Sequence, residues 1–377
     1  MRSRRGSLSG NSGRPPRGSM PELVVIQVLR ALAALSVAAL HAQHDAAALS
    51  ERFGGSFRAL ETIPWAAGVD VFFVISGFVM VHASAALFAE PGAPAAFLSR
   101  RIARIVPIYW AATTLYLLIA IVAPAVLNSE LLSAWPIIAS YLFIPFARPD
   151  GVAQPVYSLG WTLNYEMAFY ALFAVFIVLP KPKAVLGLIG MLLLLSVLGT
   201  VTDLAQPFRF WTDSIILEFA FGLALGLARA QGLRIPAGLR LLLAALALVI
   251  LVQDLTGTGA LPRWLGWGIP AALLVAAASL GDADRPHGAV ERFGIVLGDA
   301  SYALYLVHPF VMRATLQLVA QLGLGGTIRG WLYVALVLAV TTGLSVVIHR
   351  KFERPATAWL RRRLAVKPHL SARDQPA

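Results

Sequence analysis

The sequence predicts an all-α, polytopic membrane helix bundle, with about ten transmembrane helices and one short re-entrant or interfacial segment. Three observations predict it. The 377 residues are 58% hydrophobic and only 13% charged, with a mean hydropathy of +0.73, and a soluble chain of that size needs far more charge to cover its surface. The apolar residues come in blocks close to the roughly 20 residues that cross a bilayer. The net charge of +12 falls on alternate loops, not in a basic stripe interleaved with aromatics. That pattern marks cytoplasmic loops and gives no reason to expect nucleic-acid binding.

The elements follow in order. Residues 1–20, "MRSRRGSLSGNSGRPPRGSM", are basic and rich in Ser, Gly and Pro, and read as a disordered cytoplasmic tail with Met20 as an alternative start. A membrane domain occupies 21–355, and a second basic cytoplasmic tail occupies 356–377. No small-residue cleavage site follows the first apolar run, which is therefore read as an uncleaved span. Spans are expected at 23–43, 65–88, 105–123, 160–179, 184–200, 211–228, 240–254, 264–280, 295–318 and 328–349. The apolar stretch 133–147 is short and punctuated by Pro136 and Pro145. If it does not cross and the N-terminus is cytoplasmic, most of the 31 Lys and Arg face inward. If it did cross, every later loop would flip and "HRKFERP" would face outward, against the positive-inside rule. Both termini are therefore expected in the cytoplasm. The chain has no cysteine, which excludes disulfides, Cys-ligated zinc, iron–sulfur clusters and thiol nucleophiles.

A charge at the bilayer centre costs on the order of 3 kcal/mol, so such residues usually face a cavity and have work there. Five clusters qualify. In "LRALAALSVAALH", Arg30 and His41 lie about 16 Å apart along a helix axis, Arg30 in the inner half and His41 in the outer half. Arg30 either snorkels to the inner surface or lines a cavity. In "GVDVFFVISGF", Asp70 enters from the outer side at the depth of His41, where a carboxylate can orient an imidazole; Ser76-Gly77 reads most simply as helix packing. In "RRIARIVPIYW", Arg100, Arg101 and Arg104 crowd an inner mouth, as a positive-inside anchor or as guanidinium groups that capture phosphate. In "SLGWTLNYEMAFY", Glu166 sits below the outer end of its span among Trp161, Asn164, Tyr165 and Tyr170. In "LGDASYALYLVHPF", His308 returns to the outer half, with Ser301, Tyr302 and Tyr305 beneath it. Arginines inside and His41, Asp70, Glu166 and His308 outside suit an anionic donor that enters from the cytoplasm. No metal is expected, because His41 and His44 have no evident third ligand.

Taken together, these stretches and the terminal "FERP" resemble the acyltransferase 3 membrane proteins, in the family's order and over residues 23 to about 355. The compact length is most similar to the exopolysaccharide-production branch. The resemblance implies a bacterial inner membrane as the location, and an O-acyltransferase that moves an acyl group, acetyl by the family's usual habit, from cytoplasmic acyl-CoA to a hydroxyl of an extracytoplasmic or lipid-linked glycan. It implies that Arg30 and His41 are essential, and that Arg101 and Arg104, with Arg100 adjoining, serve acyl-CoA. Ser76, Gly77, Trp161, Glu166, Tyr302 and His308 fall on other recurrent positions of the family. His41 is then the catalytic base or acyl carrier, with Asp70 or Glu166 to orient it and the other to meet the sugar; Trp161, Tyr165 and Tyr170 offer stacking faces. Ser76, Tyr302 and His308 are expected to support the site. Acyl-CoA is a co-substrate, no bound cofactor is expected, and the partners are the glycan acceptor, the bilayer and polysaccharide assembly machinery. The rival class is a secondary transporter or lipid-linked glycan flippase, disfavoured by the lack of an internal repeat.

Overall fold

The computed structural model describes residues 24–123, 134–149, 151–281, 288–324 and 330–365. The N-terminal basic tail, Met20 and the last residues of the C-terminal tail lie outside them. Among the described residues the chain is helical, and its one β-type feature is an isolated bridge between Ala147 and Ala153.

The helices are α1 (Val24–Arg52), α2 (Gly68–Ala83), α3 (Ala93–Val122), α4 (Ala134–Tyr141), α5 (Trp161–Phe176), α6 (Lys181–Val201) and α7 (Leu217–Ala230). They continue with α8 (Ala237–Gln253), α9 (Ile269–Ser279), α10 (Ala289–Asp299), α11 (Ser301–Gln321), α12 (Gly330–Ile348) and α13 (Arg354–Leu364). A π-helical turn, Trp264–Gly268, leads into α9, and another, His349–Glu353, joins α12 to α13. Seven helical runs among the described residues are long and apolar enough to cross a membrane: Val24–Arg52, Trp65–Ala83, Ala93–Val122, Lys181–Val201, Phe208–Ala230, Ser301–Gln321 and Gly330–Leu364. Ala237–Gln253 and Trp264–Ser279 are apolar but shorter, as is the 16-residue α5. This is a membrane protein in which seven of the ten expected spans meet the length for crossing and three fall short of it.

Three boundaries differ from the sequence expectation. The first helix does not stop near residue 43 but runs to Arg52, because Ala42, Ala46 and Leu49 stay buried on the same face. The span expected from 295 begins at Ser301, since the chain turns between α10 and α11 where Gly298 meets the carbonyl of Gln27. The stretch from 356 begins inside α13, which packs on α3. The stretch 133–147 holds only the eight-residue α4, about 12 Å long and too short to cross by itself. It is pinned to α3: the Tyr109 hydroxyl donates to the Ser140 carbonyl (3.1 Å) and the Trp110 indole to that of Tyr141 (3.0 Å).

Small residues set how closely the helices approach. The alanine run of α1 buries Ala31, Ala34, Ala38 and Ala42 on one face, which lets α2, α11 and α12 gather around it. At the crossing of α2 and α7, a Cβ on Gly77 would strike the carbonyl oxygen of Phe219, and one on Gly222 the carbonyl of Val74. Glycine is required there by backbone contact, the packing role read for Ser76-Gly77. By contrast α8 buries only Ala247, and Leu241, Leu242 and Val249 stand outward. A helix apolar on its outward side has lipid as its solvent.

Candidate active site

Three cavities follow one another through the bundle. The inner one, about 380 Å³, is lined by Arg30, Arg100, Arg101, Arg104, Arg354 and Arg361. The middle one, about 110 Å³, shares Arg30, Arg101 and Arg104 with it and adds Ser76, Glu166, Tyr170 and Tyr302. The outer one, about 180 Å³, shares Val69 and Tyr305 with the middle and holds His41, Trp161 and Arg263. Most of the expected site residues line these adjoining cavities, whereas Asp70 and His308 line none of them, and Glu166, expected at the depth of His41, lies instead with Arg30, Arg101 and Arg104 in the middle one.

At the inner end Arg30 is not left to snorkel. Its guanidinium donates to the Gln27 side-chain carbonyl (2.9 Å), and the Gln27 amide donates in turn to Asp299 (3.0 Å). That chain ties α1 to the end of α10 and holds the arginine where the inner and middle cavities meet. Arg101 is packed over the Phe97 ring, with its Nε–H buried and unpartnered. A guanidinium held with open donors in a cavity is prepared for an anion. Arg354 and Arg361, carried by α13 onto α3, enlarge the cluster. The stretch 356–377, expected to be a basic tail, supplies Arg361, and Arg354 lies just before it in "FERP", so their place in the cavity was hidden by the fold-back.

In the middle, Glu166 accepts from the Ser76 hydroxyl (3.1 Å) and the Tyr170 hydroxyl (3.0 Å). Ser76 thus binds the carboxylate, while its neighbour Gly77 permits the helix crossing. Tyr302 donates to the carbonyl of Ile105 (3.0 Å), linking α11 to α3.

At the outer end, His41 Nδ1 lies 2.9 Å from His308 Nε2, with the two rings stacked at 5.0 Å between centroids. His308 Nδ1 lies 3.2 Å from the carbonyl of Leu304. A carbonyl can only accept, so His308 Nδ1 carries a proton, and a neutral His308 presents Nε2 as an acceptor. His41 Nδ1–H then donates to it. That leaves the lone pair of His41 on Nε2, the tautomer a base or nucleophile requires. His308 is completely buried. Pro309 follows it, without an N–H for the carbonyl of Tyr305, which lies beside the same ring.

The expectation that Asp70 or Glu166 orients His41 is not met, because both carboxylates are engaged elsewhere. Asp70 receives both arms of Arg263, Nε at 2.9 Å and Nη2 at 2.8 Å. The orienting partner is a second histidine. Trp161 lines the outer cavity as expected, while Tyr165 stacks on Phe210 at 3.9 Å and offers no free face on that side. Sequence reasoning missed Arg263 and its buried neighbour Glu218. Both carry the signal used for the others: a charge inside "LPRWLGWG" and another inside "IILEFAFG". Among the described residues no cluster of three or more His, Cys, Asp or Glu is placed to hold a metal.

A helical membrane bundle with an arginine-lined cavity that adjoins, through a middle one, a cavity holding a paired histidine has the form of a membrane-embedded enzyme. The family model for the acyltransferase 3 domain, described as an acyltransferase domain, matches residues 23–350. The chain belongs to the acyltransferase 3 family. It is also similar to the exopolysaccharide production protein ExoZ of Rhizobium meliloti (strain 1021), with 34% identity over 296 residues that make up 77% of this chain and 89% of that protein. No solved structure matches.

Proposed function

We propose that the protein is an acyl-CoA-dependent O-acyltransferase of the bacterial inner membrane, which acylates, most simply acetylates, a hydroxyl of an extracytoplasmic or lipid-linked glycan such as an exopolysaccharide. The series of cavities from the arginine mouth to the His41–His308 pair carries this reading. In the proposed topology both termini are cytoplasmic. The shorter helices α5, α8 and α9 complete ten spans, and α4 is re-entrant against α3.

The phosphates of CoA bind among Arg100, Arg101 and Arg104, whose fork geometry suits phosphate oxygens. The uncharged pantetheine arm passes Arg30 and the Glu166–Ser76–Tyr170 cluster, and the thioester reaches the outer cavity. His41 Nε2 removes the proton of the acceptor hydroxyl as its oxygen attacks the thioester carbonyl. The carbon–sulfur bond breaks, the imidazolium returns the proton to the CoA thiolate, and the ester leaves outward. His308 holds the ring in the required tautomer throughout.

The test follows radiolabelled acetyl-CoA into alkali-labile glycan in membranes that contain the wild type, His41→Ala or Arg104→Ala. Label in the glycan with the wild type and its loss in both variants support the assignment. Label that never leaves CoA, with other acyl-CoAs and acceptors tried, overturns it in favour of a transporter or flippase.

A further inference from the structure

The mechanism leaves Arg263 unused. Its Nε–H and one Nη2 N–H are spent on Asp70, which is 0% exposed, while the Arg263 side chain is 29% exposed and lines the outer cavity with His41. A guanidinium has five N–H groups, so three are not spent on Asp70. Its central carbon lies 4.9 Å from the centroid of Trp267 and 5.7 Å from that of Trp161. Trp267 is itself held, its indole N–H donating to Asp254 at 2.9 Å. Such a pre-organised fork beside a tryptophan and the polar side chains of Gln154 and Ser158 matches the needs of a sugar, with vicinal hydroxyls to accept and an apolar ring face to stack.

The charge balance around the fork narrows the choice of sugar. Asp70 cancels the guanidinium, and the fully buried Glu218 and nearby Asp213 face the same arginine. Whatever the protonation of Glu218, this group has no surplus positive charge to offer an anion. The contrast is with the inner mouth, where six arginines gather.

We propose that Arg263 and Trp161, with Gln154 and Ser158, form an acceptor subsite for an uncharged pyranose, and that Asp70 is the residue that keeps uronates and other anionic sugars out. The proposal rests on the acyltransferase reading given above. Arg263 donates to neighbouring hydroxyls of the acceptor and so presents a third hydroxyl to His41. Asp70 acts through Arg263, as a positioning and charge-cancelling residue.

The experiment uses the full chain in lipid nanodiscs, with labelled acetyl-CoA as donor and p-nitrophenyl β-D-glucoside or β-D-glucuronide as acceptor; CoA binding is measured separately. The wild type is expected to acylate the glucoside in preference to the glucuronide. Arg263→Gln raises the glucoside KM by about tenfold or more, the effect of losing charge-assisted hydrogen bonds, with CoA binding within about twofold. Asp70→Asn removes one of the carboxylates that face the guanidinium and raises the glucuronide-to-glucoside ratio several-fold, and Asp70→Asn/Glu218→Gln, which removes both buried ones, raises it by about tenfold. Arg263→Lys keeps the charge without the fork and gives the same glucoside loss, so the test does not depend on Asp70→Asn folding. A wild type that prefers the glucuronide, an Asp70→Asn protein that binds CoA with an unchanged ratio, or a glucoside KM that ignores Arg263 overturns the subsite. So does a wild type that binds CoA but acylates neither pyranoside. A wild type that does not bind CoA refutes the acyltransferase reading itself.

Discussion

Replacing His308 tests the histidine relay directly. His308→Phe retains a ring of similar shape beneath α1 but removes the acceptor that lies 2.9 Å from His41 Nδ1. An unsatisfied N–H costs about 1–3 kcal/mol, and the half-buried His41 escapes that cost only so far as the Val37 carbonyl beside its ring or the outer cavity offers another partner. Either His41 bears that cost or it turns to the other tautomer, with its proton on the nitrogen that must act as base. At 1.4 kcal/mol per tenfold, kcat for acyl transfer falls by about ten- to a hundredfold. His308→Gln supplies a carbonyl oxygen that can accept from Nδ1–H and recovers part of the loss, whereas a packing effect alone gives no such recovery. Because the two histidines act as one unit, His41→Ala/His308→Phe is no slower than His41→Ala. The assay is the initial rate of label transfer at saturating acetyl-CoA, with CoA binding as the check on folding. Multiplicative losses in the double variant, or a Gln variant no better than Phe, refute the relay.

Gly77→Ala pushes a methyl group into the backbone of α7 and is expected to destabilise the protein by about 1–3 kcal/mol; it should lower the midpoint of thermal unfolding, while Gly238→Ala, with nothing within 4 Å, leaves it unchanged. Arg361→Gln removes a cation from the inner cavity and is expected to weaken CoA binding several-fold, with a smaller salt dependence and an unchanged acceptor KM.

The fold class was legible because hydropathy and charge act locally: a run of apolar residues is written in consecutive letters, and so is the arginine cluster at 100–104. The depth of Arg30 and His41 was legible for the same reason, since a helix converts residue separation into distance. Side-chain partnerships were not legible. His41 and His308 are 267 residues apart, and nothing in either stretch says which of three polar groups at one depth will meet. Asp70 looked like the partner of His41 because the two share a depth, but Arg263, 193 residues further on, takes both oxygens of the carboxylate. The same holds for α13, whose basic sequence says "cytoplasmic" but not that it returns to line a cavity.

The three cavities also bear on why the donor would give up an acyl group without crossing. The inner space holds about 380 Å³ and the middle about 110 Å³, and the two share Arg30, Arg101 and Arg104. Under the proposed function, phosphates find their partners at that junction, while an uncharged arm has no such partner to stop it there. The junction then holds the head of the donor and lets its arm go on, which a transporter of the whole molecule would not do. Ser76→Phe tests this argument. Ser76 lies on the wall of the middle cavity beside Glu166, and the added ring, larger than a leucine side chain, fills much of the passage. Transfer should fall by at least about a hundredfold, because a 1 Å displacement of reacting groups already costs about that much. CoA itself should bind more weakly, since its arm loses the middle cavity, whereas an analogue that keeps the phosphates and lacks the arm should bind both proteins within about twofold, since none of the arginines is replaced. A Ser76→Phe protein that still transfers label at the wild-type rate would mean that the acyl group reaches His41 by another route, and the serial arrangement of cavities would lose its mechanistic meaning.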